Sequence, residues 1–131
     1  MEKKGFEHLR VFLLAEELAD AIWELVVSWD AFAKRTVGAQ LVCAADSIGA
    51  NIAEGHGRYS YKENKRFVRI ARGSLNETRF FLRRAFQRKL MTDDQINRLK
   101  PMIQDLGPML NAYLRTIGTR NTTDQQKPTS G

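Results

Sequence analysis

Apolar residues recur at three- and four-residue steps in four separate stretches of this chain, each long enough to form a helix. Val11, Leu14, Ala15, Leu18, Ile22, Leu25 and Trp29 predict a first helix over residues 9–29. Phe12, Ala19, Trp23 and Val27 widen its apolar stripe, and Glu17, Asp20 and Glu24 make an acidic face opposite. That arc is broader than one bundle core needs, which predicts oligomerisation. A second helix over 36–55 carries Leu41, Ala44, Ala45, Ile48 and Ile52 on its core stripe. Its other positions are small or weakly polar, so neighbours should approach it on several sides. Gly55-His56-Gly57 should end it with a left-handed cap.

Ser60-Tyr-Lys-Glu63 reads as a capping box that opens a third helix over 61–89. There Phe67, Ala71, Ser74, Thr78, Phe81, Leu82 and Ala85 fall on one face. Thr92, followed by two acids, caps a fourth helix over 93–117, with Ile96, Leu99, Ile103, Leu106, Leu110, Tyr113, Leu114 and Ile117 inward. Pro101 and Pro108 land outward, where they should bend or interrupt this helix without disturbing its core contacts. Strand signals are missing. The pattern therefore predicts an all-α, antiparallel up-down-up-down four-helix bundle over residues 1–118, followed by a disordered tail over 119–131.

Charge sharpens this picture. Residues 58–89 hold 11 of the 21 Lys and Arg but 2 of the 15 acids, which leaves that segment at +9 and the other 99 residues at −3. Lys62, Lys65, Arg66, Arg69, Arg72, Arg79 and Arg83 share an arc of about 140° on the third helix, opposite its core stripe. Arg58, Arg84, Arg88 and Lys89 extend the basic set. A face kept charged only for solubility would interleave Glu, because like charges at i,i+4 such as Lys62/Arg66, Lys65/Arg69 and Arg79/Arg83 repel. Arginine also outnumbers lysine, and its planar fork suits phosphate or carboxylate.

Two readings of the stripe stay open. It contacts the backbone of RNA or DNA, or its inner members Arg69 and Arg72 pair with carboxylates such as Glu17, Asp20, Glu24, Asp46 and Glu54, from this chain or a neighbouring copy. Tyr59, Tyr61 and Phe80 could stack on unpaired bases, although aromatics beside a cap more often pack. No zinc finger, recognition helix or RNP signature is present, so binding should be to backbone and salt-dependent.

No catalytic constellation, metal-ligand set or cofactor motif is found. His8 and His56 have no metal spacing, and His56 between glycines reads as a helix-end residue; a nuclease would need it as a base. Gly49 and Gly73 read as close helix contacts rather than phosphate loops. Cys43 stands alone, which excludes an internal disulfide. No apolar run approaches membrane-spanning length, and Glu7, His8 and Arg10 follow the basic start, so a cytoplasmic protein without a membrane partner is expected.

Two segments carry a resemblance: Ser47-Ile-Gly-Ala-Asn-Ile-Ala-Glu-Gly-His-Gly-Arg58, and Phe67-Val-Arg-Ile-Ala-Arg-Gly-Ser-Leu-Asn-Glu77. They resemble the paired motifs S-x-x-x-N-I-A-E-G-x-G-R and F-x-x-I-A-R-G-S-x-x-E of the 23S rRNA intervening-sequence proteins. Phe6 to Phe12 is similar to that family's opening, with Phe12 where Trp is usual. The resemblance spans about residues 6–117. It implies an antiparallel four-helix bundle that assembles as a homopentamer, and in its best-understood branch no catalysis. One branch, the accessory variability protein of diversity-generating retroelements, implies a reverse transcriptase and nucleic acid as partners; other members are encoded inside ribosomal RNA genes. On this resemblance Ser47, Asn51, Glu54, Gly55, Gly57, Gly73 and Glu77 belong to the assembly and packing motif, together with Arg58, Arg69 and Arg72.

Overall fold

The computed structural model describes residues 5–119. It is all-α, with four long helices around one core and no strand among the described residues. The expected tail beyond Thr119 lies outside them. After a 3-10 turn at Phe6–His8, α1 runs Arg10–Val27. The Phe6 ring meets Phe12 edge-on at 4.8 Å and seats the start of α1. The helix ends two residues sooner than its periodicity suggests. Ser28 donates its hydroxyl to the Leu25 carbonyl at 2.7 Å, and Trp29 lies buried in the turn beyond.

The second helical rod starts well before residue 36. Asp30 accepts a hydrogen bond from the Ala33 amide at 2.9 Å, an N-cap worth about 1 kcal/mol. From there α2 (Ala31–Ala33), a π turn (Lys34–Gly38) and α3 (Ala39–His56) follow one another with helical backbone throughout. Gly38 lets this rod approach α1, since a Cβ there would lie 2.8 Å from Val26 Cγ1 and 3.4 Å from the Trp29 ring. Periodicity missed residues 31–35 because the rod is exposed there except at Ala33.

α4 runs Tyr61–Gln87 and α5 runs Asp93–Thr116. α1 packs on α3 and α5, and α4 packs on the same two helices, so the four close around the core. Ala15, Leu18 and Ile22 from α1 meet Leu41, Ile48 and Ile52 from α3, with Leu106 and Leu110 from α5. α4 contributes Val68 and Leu75 beside the expected Ala71, Thr78, Leu82 and Ala85, while Phe67 and Phe81 are half-buried. Its core arc is turned by about one residue from the expected face. Each fully buried Leu or Ile contributes about 1.5–3 kcal/mol. Thr78, also fully buried, donates its hydroxyl to the Ser74 carbonyl at 2.8 Å.

Helix ends depart from the sequence reading in three places. Gly57 has φ −82°, so α3 ends without a left-handed residue. The left-handed cap comes instead after α4. Lys89 has φ 63°, Leu90 N–H donates to the Ala85 carbonyl and Lys89 N–H to the Phe86 carbonyl, each at 3.0 Å. That is the Schellman pattern, with lysine where glycine is usual, and it stops α4 two residues short of 89. At its start, Ser60 accepts from the Glu63 amide at 3.0 Å, but the Glu63 carboxylate turns to Arg66 instead of closing the box. The full reciprocal box forms at α5, between Thr92 and Gln95.

Pro101 and Pro108 do not interrupt α5. The carbonyls each deprives of a partner belong to the exposed residues Asn97 and Gln104, which water can reach. No helix among the described residues is long and apolar enough to cross a membrane.

Candidate nucleic-acid interface

The contacts of the basic set fall into three groups along α4. At the N-terminal end of α4, Arg58 and Arg66 lie over the Phe67 ring, 4.9 Å and 4.6 Å from its centroid. Both are also neutralised: Arg58 pairs with Glu54 at 2.5 Å and Arg66 with Glu63 at 3.1 Å. The Arg66 hydrogen bond holds the Glu63 carboxyl below its ordinary range. Lys62 beside them is exposed and Lys65 half-buried.

Mid-helix, the arginines lean toward α5. Arg72 Nη1 donates to Asn111 Oδ1 at 2.9 Å, and Arg79 Nη1 donates to Asn76 Oδ1 at 3.0 Å. Arg79 also covers Gly107, its Nη2 lying 3.1 Å from where a Cβ would sit. These partners are neutral, and neither arginine makes an ion pair among the described residues. At the C-terminal end, half-buried Arg84 donates to Gln87 Oε1 at 2.8 Å, and Arg88 and Lys89 are exposed. Arg69 and Arg83 are exposed and make no ion pair among the described residues.

Of the carboxylates considered as partners, Glu54 alone pairs with an arginine among the described residues. Asp46 is instead pushed above its ordinary range by burial and then by Asp20, an acid facing an acid. Glu17, Asp20 and Glu24 are exposed on α1, beside exposed Leu13, Trp23 and Val27.

The motif residues are used mainly inside the chain. Asn51 Nδ2 donates to the Ser47 carbonyl at 2.8 Å, one turn earlier in α3. Gly55 is where α3 and α4 touch: a Cβ there would lie 2.8 Å from Phe67 Cβ and 2.7 Å from Asn64 Oδ1. Glu54 and Arg58 then tie the end of α3 to the Phe67 ring. Gly49 packs as expected: a Cβ there would lie 3.4 Å from the Phe12 ring. Gly73 does not. A Cβ on it would meet nothing within 4 Å, and it faces solvent near exposed Glu77. Gly73→Ala should therefore stabilise the fold by about 1 kcal/mol, because alanine loses less backbone entropy in a helix. Thermal denaturation should show a melting temperature about 4 °C higher.

Of the candidate stacking aromatics, Tyr61 packs against the core, while Tyr59 and Phe80 are exposed. The sequence reading passed over Phe32 and Arg35, which the π turn brings to the same end of the molecule as Arg84 and Arg88. A lone Phe-x-x-Arg outside an apolar stripe carries no periodic signal.

The fold and this surface define a small all-α protein whose positive charge is gathered along one helix. The chain belongs to the 23S rRNA-intervening sequence protein family, whose model matches residues 7–112. A search of curated proteins finds no match to the chain.

Proposed function

We propose that this protein binds the phosphate backbone of RNA or DNA through α4, with no catalytic step of its own. The observation that carries this is the run from Arg79 to Lys89, which has five basic residues and no acid, and whose hydrogen-bonded arginines have neutral partners. Guanidinium forks left in that state match phosphate oxygens in geometry and charge. The short connections between helices support an antiparallel up-down-up-down order in one domain. The family resemblance supports a homopentamer and service to a reverse transcriptase in a diversity-generating retroelement.

The second reading is a homo-oligomeric scaffold in which the exposed acids of α1 meet the arginines of α4 in the next copy. Glu17, Asp20 and Glu24, exposed and without an ion pair among the described residues, lie beside apolar Trp23 and Val27 and favour it. Titration of a structured RNA against rising salt separates the two. Backbone binding predicts a linear fall of log affinity with log salt, with a slope of about −0.7 to −0.9 per phosphate contacted. The scaffold instead predicts no binding even at low salt, and an oligomer that Arg69→Glu dissociates.

A further inference from the structure

We propose that the groove between the π turn and the C-terminal half of α4 seats a short unpaired segment of single-stranded nucleic acid. A base would stack on Phe80, with the flanking phosphates on Arg35, Arg84 and Arg88. The proposal rests on the nucleic-acid reading above and gives it a ligand class.

The groove encloses about 530 Å3, within the range of roughly 300–1,000 Å3 typical of sites that take a small organic group. Three arginines line it and, among the described residues, no carboxylate does. Arg84 is held by the neutral Gln87, Arg35 lies 5.8 Å over the Phe32 ring, and Arg88 has no ion pair among the described residues. Phe80 is 54% exposed. Half-buried Phe81 meets it edge-on at 5.1 Å and 75°, which fixes the ring while leaving it open to solvent. An exposed ring so held, on a cationic wall, is the arrangement that stacks unpaired bases without regard to sequence. Bases inside a duplex have both faces covered and cannot use it.

An adjoining groove of about 400 Å3 shares Thr36, Val37 and Arg88 and runs on to Phe32, which is 67% exposed. Its one acid, Asp30, is committed to the Ala33 amide. Arg88 therefore stands between two exposed rings, where the phosphate joining two stacked bases would fall. The wall carrying Arg35 and Thr36 is the π turn, a geometry frequent at functional sites.

Cys43, the only cysteine in the chain, lines the main groove and is exposed, so its alkylation reports occupancy. With the full-length protein, a 12-nucleotide oligo-U should slow maleimide alkylation of Cys43 at least about fivefold. A 12-base-pair RNA duplex, which can reach Arg84 and Arg88 but cannot place a base in the groove, should bind yet slow that rate far less. Phe80→Ala, a change at an exposed position, should weaken oligo-U binding about tenfold in fluorescence anisotropy while leaving duplex affinity intact. Equal protection by the duplex or by polyglutamate, or an unaltered Phe80→Ala variant, would overturn the single-strand site and leave backbone binding standing. Protection that grows with protein concentration alone would put a second copy in the groove and overturn it too. Failure to bind either nucleic acid removes both readings.

Discussion

Reversing Arg79, Arg83 and Arg84 to Glu together should abolish the proposed binding to structured RNA and leave the assembly state of the parent protein unchanged. These residues lie past the motif segment, where no acid neutralises them. Arg79 and Arg84 hold neutral amide partners, and Arg83 makes no ion pair among the described residues. Charge-assisted hydrogen bonds contribute about 1.5–3 kcal/mol each, so losing three and adding repulsion lowers affinity by at least about 10³-fold. Arg79 and Arg83 are exposed and Arg84 half-buried, and α4 is anchored by its opposite face, so the fold should tolerate the change. Gel-shift or anisotropy titration reads the affinity, and analytical ultracentrifugation reads the assembly. Unchanged affinity in a variant that sediments like the parent sinks the proposed function.

Gly55→Ala has the largest expected effect on stability. The added Cβ would sit 2.8 Å from Phe67 Cβ and 3.0 Å from the Asn64 backbone carbonyl. Neither atom is the free end of a side chain, so α3 and α4 must separate to admit the methyl group. That overpacking costs about 2–3 kcal/mol. The melting temperature should fall by about 10 °C, and circular dichroism on heating measures it. The separation also disturbs Arg58 and Arg66 over Phe67, and with them the turn that joins the two helices. A melting temperature equal to the parent's would show that the helices do not pack as described. Gly73→Ala, the same substitution in the neighbouring helix, should move stability the opposite way.

This contrast marks what the chain's own pattern can carry. Helix spacing identified Leu18, Ile22, Leu41, Ile48, Ile52, Leu106 and Leu110 as core, and all are fully buried. It separated the α4 arginines from the apolar face, and the paired motifs pointed to the family that the model match shows. Periodicity works there because burial repeats with the turn of the helix, a property of each segment alone.

The two glycines look alike by that measure. One is pressed against Asn64 and Phe67, the other faces solvent, and the difference lies in how closely another helix approaches each. The early start of the second rod depended on Asp30 folding back to one amide. The left-handed residue closing α4 is Lys89, where spacing alone points to the glycines at the end of α3.

The basic stripe shows the same division. Sequence alone determined that it exists, how much charge it holds and which side of α4 it occupies. Tertiary structure decided which arginines are already engaged. Arg58 and Arg66 are held by acids and Phe67, Arg72 and Arg79 lean on α5, and Arg84 and Arg88 join Arg35 and Phe32 from a segment some fifty residues earlier. Local spacing sets where a side chain points from its own helix. The rotation and approach of neighbouring helices set what it meets there.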